Sequence, residues 1–142
     1  MIRRYRSRRL HEAASASGRN FHVDCPRLHF EHLSGPQIYR KGFELINSTE
    51  GWYAETNILD ARIQFVVDGD YLYVAVTWPD MDENMWPKNV DCTIDLPNPN
   101  QFGRVANEVM RDICNHVNSV HDTYEMEHDV FPKWGSTLVD GQ

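Results

Sequence analysis

Five arginines crowd into seven positions near the N-terminus: Arg3, Arg4, Arg6, Arg8 and Arg9, with Tyr5 among them. Guanidinium groups neutralise phosphates and an aromatic ring stacks on bases or sugars, so this run is the candidate nucleic-acid contact. The bland alternative is a solubilising tail or a targeting signal. Carboxylates offer the opposite chemistry. Asp80, Asp82, Glu83, Asp91 and Asp95 gather around one loop and strand, and Asp122, Glu125, Glu127 and Asp129 gather further on. Such patches form a solvated acidic face, or they mimic a phosphate track and meet a basic protein groove. Trp86, inside the first patch, is a residue type that anchors protein interfaces. The candidate protein-binding set is therefore Asp80, Asp82, Glu83, Trp86, Asp122, Glu125, Glu127 and Asp129.

Two further groups have metal-ligand residue types. His22, Cys25, His29 and His32 suit zinc by type. Their spacing matches no familiar structural zinc pattern, there is no CxxC, and on a strand His29 and His32 face opposite sides. Surface histidines are the default reading. His121, Glu125 and His128 fall on one face if a helix runs through them, which is the geometry of a two-histidine, one-carboxylate iron site. The surrounding acidic residues fit a fraying helix end instead. We expect no cofactor and no catalytic residue. The chain has no G-x-S-x-G, no glycine-rich phosphate loop and no H-E-x-x-H.

Charge is divided along the chain. Residues 1–19 hold six arginines against Glu12 alone, a net +5, while residues 20–142 hold eight basic and twenty acidic residues, a net −12. The body repels nucleic acid and the leader attracts it. The 142 residues fit one domain, and 41% hydrophobic residues suffice for a core without staples. No apolar run approaches the length of a membrane span, and no apolar stretch follows the basic start as a signal peptide requires. The Arg- and Ser-rich start has the composition of a mitochondrial presequence, although Glu12 speaks against one. Cys25, Cys92 and Cys114, odd in number and far apart, read as reduced thiols in a cytoplasmic protein. Cys92 and Cys114 fall on faces expected to be buried.

The elements that position these residues follow from periodicity. Residues 1–20 have little to bury and read as a flexible basic arm ahead of a single domain over 21–142. Residues 21–33 read as short extended pieces, Ser34-Gly35-Pro36 as a turn, and 37–46 as a helical turn or a strand. Strands are expected over 52–59, 62–67 and 70–78, with Asp68-Gly69 as the two-residue hairpin turn. That turn pairs Val67 with Asp70, Phe65 with Leu72 and Ile63 with Val74. It puts these side chains, with Val76 and Trp78, on one apolar face. A further strand spans 90–96, with Val90, Cys92, Ile94 and Leu96 on one face. After Asn100 as N-cap, apolar residues recur every three or four positions from Phe102 to Tyr124, which predicts a long amphipathic helix. From about 129 the tail reads as irregular. The expected fold is α+β: an antiparallel sheet of four to five strands with one long C-terminal helix packed on one face. Its core should contain Phe65, Val67, Leu72, Val74, Val76, Ile94, Val105, Val109, Ile113 and Val117.

The arm Arg3 to Arg9, the strand start Gly51-Trp52-Tyr53 and the strand–helix unit from Val90 to Tyr124 together resemble one group of phage-encoded inhibitors of type II CRISPR effectors (anti-CRISPR proteins). The resemblance implies a non-enzymatic inhibitor that docks on a host or effector nucleoprotein. The charge division leads to the same expectation: an inhibitor or adaptor whose acidic body meets a basic protein groove while its arginines reach RNA or DNA. The alternatives are a small metal-dependent enzyme or nuclease built on the histidine and carboxylate groups, and an assembly protein whose arm touches a packaged genome.

Overall fold

The structure, a computed structural model, describes residues 2–17, 22–80 and 90–119, with side chains from Arg9 onward. Five strands form one antiparallel sheet in sequence order: β1 (Glu31–Ser34), β2 (Glu50–Ile58), β3 (Ala61–Asp68), β4 (Tyr71–Thr77) and β5 (Val90–Asp95). Helices α1 (Ile2–Ala16) and α3 (Phe102–Ser119) cover one face, and the short helix α2 (Gly35–Arg40) covers part of the other. The α+β reading holds. The strands of the middle of the chain and the long helix as far as Ser119 lie where alternation and three-to-four spacing put them; the expected last turn, to Tyr124, lies outside the described residues.

The alternation decides which face each side chain serves. Ile63, Phe65 and Val67 from β3, Leu72, Val74 and Val76 from β4, and Cys92 and Ile94 from β5 join Ala106, Val109, Met110, Ile113, Cys114 and Val117 of α3 in the main core. Val105, expected in that core, packs at its margin, only partly buried. The intervening residues Tyr53, Val66 and Ala75 build a smaller cluster with Leu33, Ile38 and Phe43 beneath α2. Helix α2 begins with a capping box. The Ser34 side chain accepts from the Gln37 backbone N–H, and Gln37 reaches back to the Ser34 N–H. This resolves the ambiguous stretch after Ser34 in favour of a helical turn.

The β3–β4 hairpin differs from expectation by two residues in register. Asp68 pairs with Tyr71, Val67 with Leu72, Phe65 with Val74 and Ile63 with Val76, so the turn is Gly69-Asp70. Gly69 takes the left-handed conformation, φ +64°. Asp68 is withdrawn from the turn because its buried carboxylate has other work. It accepts from the backbone N–H of Ile46 (2.7 Å) and Asn47 (3.1 Å) and from the Ser48 hydroxyl (2.7 Å). A shift of two residues preserves the faces, so the same side chains reach the core under either turn.

Gly51 sits where β2 crosses β3 closely. A β-carbon there would lie 2.3 Å from the Val67 carbonyl oxygen. Asn98, not Asn100, provides the cap ahead of the long helix. Its side chain accepts from the Asn100 N–H at 3.1 Å, and a single 3₁₀ turn over Pro99–Gln101 leads into α3.

The largest departure is at the N-terminus. The expected flexible arm is helical from Ile2 to Ala16, and its second half is seated in the core, with Leu10 and Ala14 fully buried against α3 and β5. The physical reason is legible in retrospect. Leu10, Ala13 and Ala14 stand three and four apart, arginine and alanine are strong helix formers, and no proline or glycine intervenes before Gly18. The Ser17 hydroxyl donates to the Ala13 carbonyl (3.0 Å) and closes the last turn.

Candidate functional site

The seat of α1 brings together residues from opposite ends of the charge division. Arg9 lies over the Trp78 ring, 4.5 Å from its centroid, and its Nη2 donates to Asp80 Oδ1 at 2.8 Å. Trp78 is buried at the end of β4 and offers its face to the guanidinium. Thus one arginine proposed for nucleic acid and one carboxylate proposed for a protein groove neutralise each other across 71 residues of sequence. Both belong to the seat. Arg3, Arg4, Tyr5, Arg6 and Arg8 lie on the first two turns of α1, beyond the seated half.

Two residues along, the His11 ring meets that of His116 of α3, with centroids 6.1 Å apart. Burial, and then the neighbouring His11, push the His116 imidazole down to about 4. At neutral pH it is therefore uncharged, and its Nε2 meets no hydrogen-bond partner among the described residues. The contact between α1 and α3 is thus built for neutral imidazole.

The acidic set is not one surface. Asp80 and Asp95 are exposed, whereas Asp91 is buried at the irregularity between β4 and β5. There the ladder skips a residue. Asp91 Oδ2 accepts the Val76 N–H at 2.6 Å and replaces the missing strand partner. It is a structural carboxylate. Asp82, Glu83, Trp86, Asp122, Glu125, Glu127 and Asp129 lie outside the described residues, as do His121 and His128 of the second candidate metal group.

The first candidate metal group is dispersed. His22 pairs with Asp24 (3.5 Å), His32 pairs with Glu50 (2.9 Å) and packs on Trp52, and His29 is exposed. Cys25 is exposed and its thiol donates to the Pro26 carbonyl at 3.8 Å. An extended segment spreads its side chains in alternating directions, so spacing of three and four does not gather them. Among the described residues, no group of three or more His, Cys, Asp or Glu side chains is placed to hold a metal ion.

A polar cluster on the α2 face was not visible in the sequence. Gln64, buried in β3, donates through Nε2 to the Tyr53 hydroxyl and to the Lys41 carbonyl, both at 2.9 Å. The Tyr53 hydroxyl donates to Glu55 at 2.5 Å. Burial, with Glu55 next, raises the Tyr53 pKa well above its usual value, so this hydroxyl remains a donor. Every polar atom named here has a structural partner, and the cluster pins the chain after α2 to the sheet.

What the arrangement can do is present charge. A short helix fixed at its C-terminal half holds four arginine positions ahead of an acidic domain. Among the described residues no helix is long and apolar enough to cross a membrane. No protein-family model, curated protein or solved structure matches the chain.

Proposed function

We propose that this protein is a non-enzymatic inhibitor or adaptor that docks on a protein–nucleic-acid machine. The observation that carries the reading is the charge division, +5 over residues 1–19 against −12 over the remainder. A simple nucleic-acid binder has no use for an anionic body, which weakens its attraction to phosphate. A ligand for a nucleoprotein uses both signs. Its carboxylates meet the basic channel that normally holds nucleic acid, and its arginines meet the nucleic acid already present.

The seat of α1 supports a specific form of this reading. Leu10 and Ala14 fix the base of the helix, so Arg3, Arg4, Arg6 and Arg8 enter a partner from a tethered position. Tethering lowers the ordering cost that a free coil bears on binding. Arg9 and Asp80 drop out of the contact set because each already holds the other.

The resemblance to phage-encoded inhibitors makes a type II CRISPR effector with its guide RNA the first nucleoprotein to test. Binding of the full chain is measured against the effector alone, the guide RNA alone and their complex, each at low and high salt. The reading expects the complex to bind best and binding to weaken as salt rises. Failure to bind that complex, other basic nucleoproteins and free nucleic acid at low salt would remove it.

A further inference from the structure

Residues 22–30, ahead of β1, run along α3 without any strand or helix of their own, and they are held at two points. Near one end of α3, Asn118 brackets Val23: the Val23 N–H donates to Asn118 Oδ1 and Asn118 Nδ2 donates to the Val23 carbonyl, both at 2.8 Å. Further back, the Leu28 N–H donates to Asn107 Oδ1 at 3.1 Å. Asn107, Cys114 and Asn118 stand seven and four residues apart, so they share one stripe of the helix. Cys25 lies between the two pinned residues of the strap, and Cys114 lies between the two asparagines that pin them, so the brackets hold Cys25 alongside the stretch of α3 that carries Cys114. The strap side of the pair is exposed and the helix side is buried.

We propose that Cys25 and Cys114 form a reversible disulfide that locks this strap onto α3 when the protein meets hydrogen peroxide. Cys25, open to solvent, reacts first. Its sulfur attacks the peroxide, the O–O bond breaks, and a sulfenic acid and one water result. The Cys114 sulfur then attacks the Cys25 sulfur. The S–S bond forms, the S–O bond breaks, and the hydroxyl leaves as a second water with the Cys114 proton. Two thiols and one peroxide thus give one disulfide and two waters. Burial, and then the neighbouring Cys25, push the Cys114 thiol up to about 12, which leaves the exposed Cys25 as the first of the two to meet the oxidant. The third thiol, Cys92, is buried on β5 in the main core.

The bond joins residues far apart in sequence, so it constrains the unfolded chain strongly and raises resistance to heat. It also fixes the connection through which α1 is tethered. This inference is independent of any nucleoprotein partner, because its readout is the chemistry of the isolated chain.

The test treats the purified full chain with stoichiometric hydrogen peroxide and maps its peptides without reduction. The expected product is one cross-linked pair containing Cys25 and Cys114, lighter by two hydrogen atoms than the separate peptides and restored by dithiothreitol. The oxidised chain should also melt at a higher temperature. Cys25→Ser, at an exposed position that leaves the core intact, should abolish the product, while Cys92→Ala should leave it. Oxidation of Cys25 to a sulfinic acid with Cys114 still a free thiol would overturn the proposal. So would dimers linked through Cys25 with no internal cross-link.

Discussion

Replacing Leu10 by Ala tests whether α1 is a separately releasable helix on an otherwise self-sufficient domain. Leu10 is fully buried, and truncation of such a leucine costs about 2–5 kcal/mol. Among the described residues, the docked helix is held by Leu10, Ala13 and Ala14, by the contacts of Arg9 and by the His11–His116 ring contact. Burying the Leu10 side chain is worth about 1.5–3 kcal/mol, with smaller terms from Ala14 and Ala13. The Arg9–Asp80 pair and the stacking on Trp78 add about 1 kcal/mol together, because Asp80 is largely solvated. The substitution therefore removes most of the docking free energy. A loss of about 2 kcal/mol raises the open fraction about 30-fold. Amide hydrogen exchange read by mass spectrometry should show that rise over residues 9–17, with exchange in β3 and β4 unchanged. Two results would refute the reasoning. Unchanged protection over 9–17 would mean Leu10 is not the anchor. Equal loss of protection in α1 and the sheet would mean the helix belongs to one cooperative core.

Further perturbations probe the sheet, the long helix and the histidine contact. Gly51→Ala should cost about 2–3 kcal/mol in urea unfolding, because the new β-carbon meets the Val67 carbonyl and not a flexible side chain; a cost under about 0.5 kcal/mol would contradict the β2–β3 pairing. Ile113→Ala should cost about 2–5 kcal/mol, and a near-neutral result would mean a different face of α3 is buried. His116 has a folded pKa of about 4, below its ordinary 6.5, so the native state binds fewer protons than the unfolded chain between those values. Its contribution is complete above about pH 6.5 and is lost as pH falls towards 4. After allowance for partial solvent screening the loss is about 1–2 kcal/mol. His116→Asn should flatten that part of the pH–stability curve, and an unchanged slope would place the titration elsewhere.

The parts of the fold that could be read from the sequence are those where period alone decides the outcome. Alternation through Ile63, Phe65 and Val67 and the three-to-four recurrence from Phe102 to Val117 specify a face whatever the exact turn. Register is different. Asp68-Gly69 satisfies the chemistry of a hairpin turn, yet Asp68 is claimed by Ile46, Asn47 and Ser48, about twenty residues earlier in the chain. A local rule cannot see that competitor. The seat of α1 was hidden for the opposite reason. Among the described residues its apolar stripe is Leu10, Ala13 and Ala14, and a run of arginines outweighs so narrow a signal in any composition argument. Among the candidate site residues, charge flagged both Arg9 and Asp80 without revealing that they pair. It also placed Asp91 on the surface, where a bulge in fact consumes its carboxylate. The Cys25–Cys114 contact depends on the two asparagine brackets, which nothing in the spacing of the cysteines announces.

The central claim is that the leading turns of α1 contact phosphate while the body does not. The most direct measurement is the affinity of the full chain for a fluorescent single-stranded RNA as a function of salt. Four arginines, each on one phosphate, predict a log–log slope of about −3. Changing Arg3, Arg4, Arg6 and Arg8 together to Gln should bring that slope close to zero. A slope that survives the fourfold change, or is absent in the unaltered chain, would contradict the account.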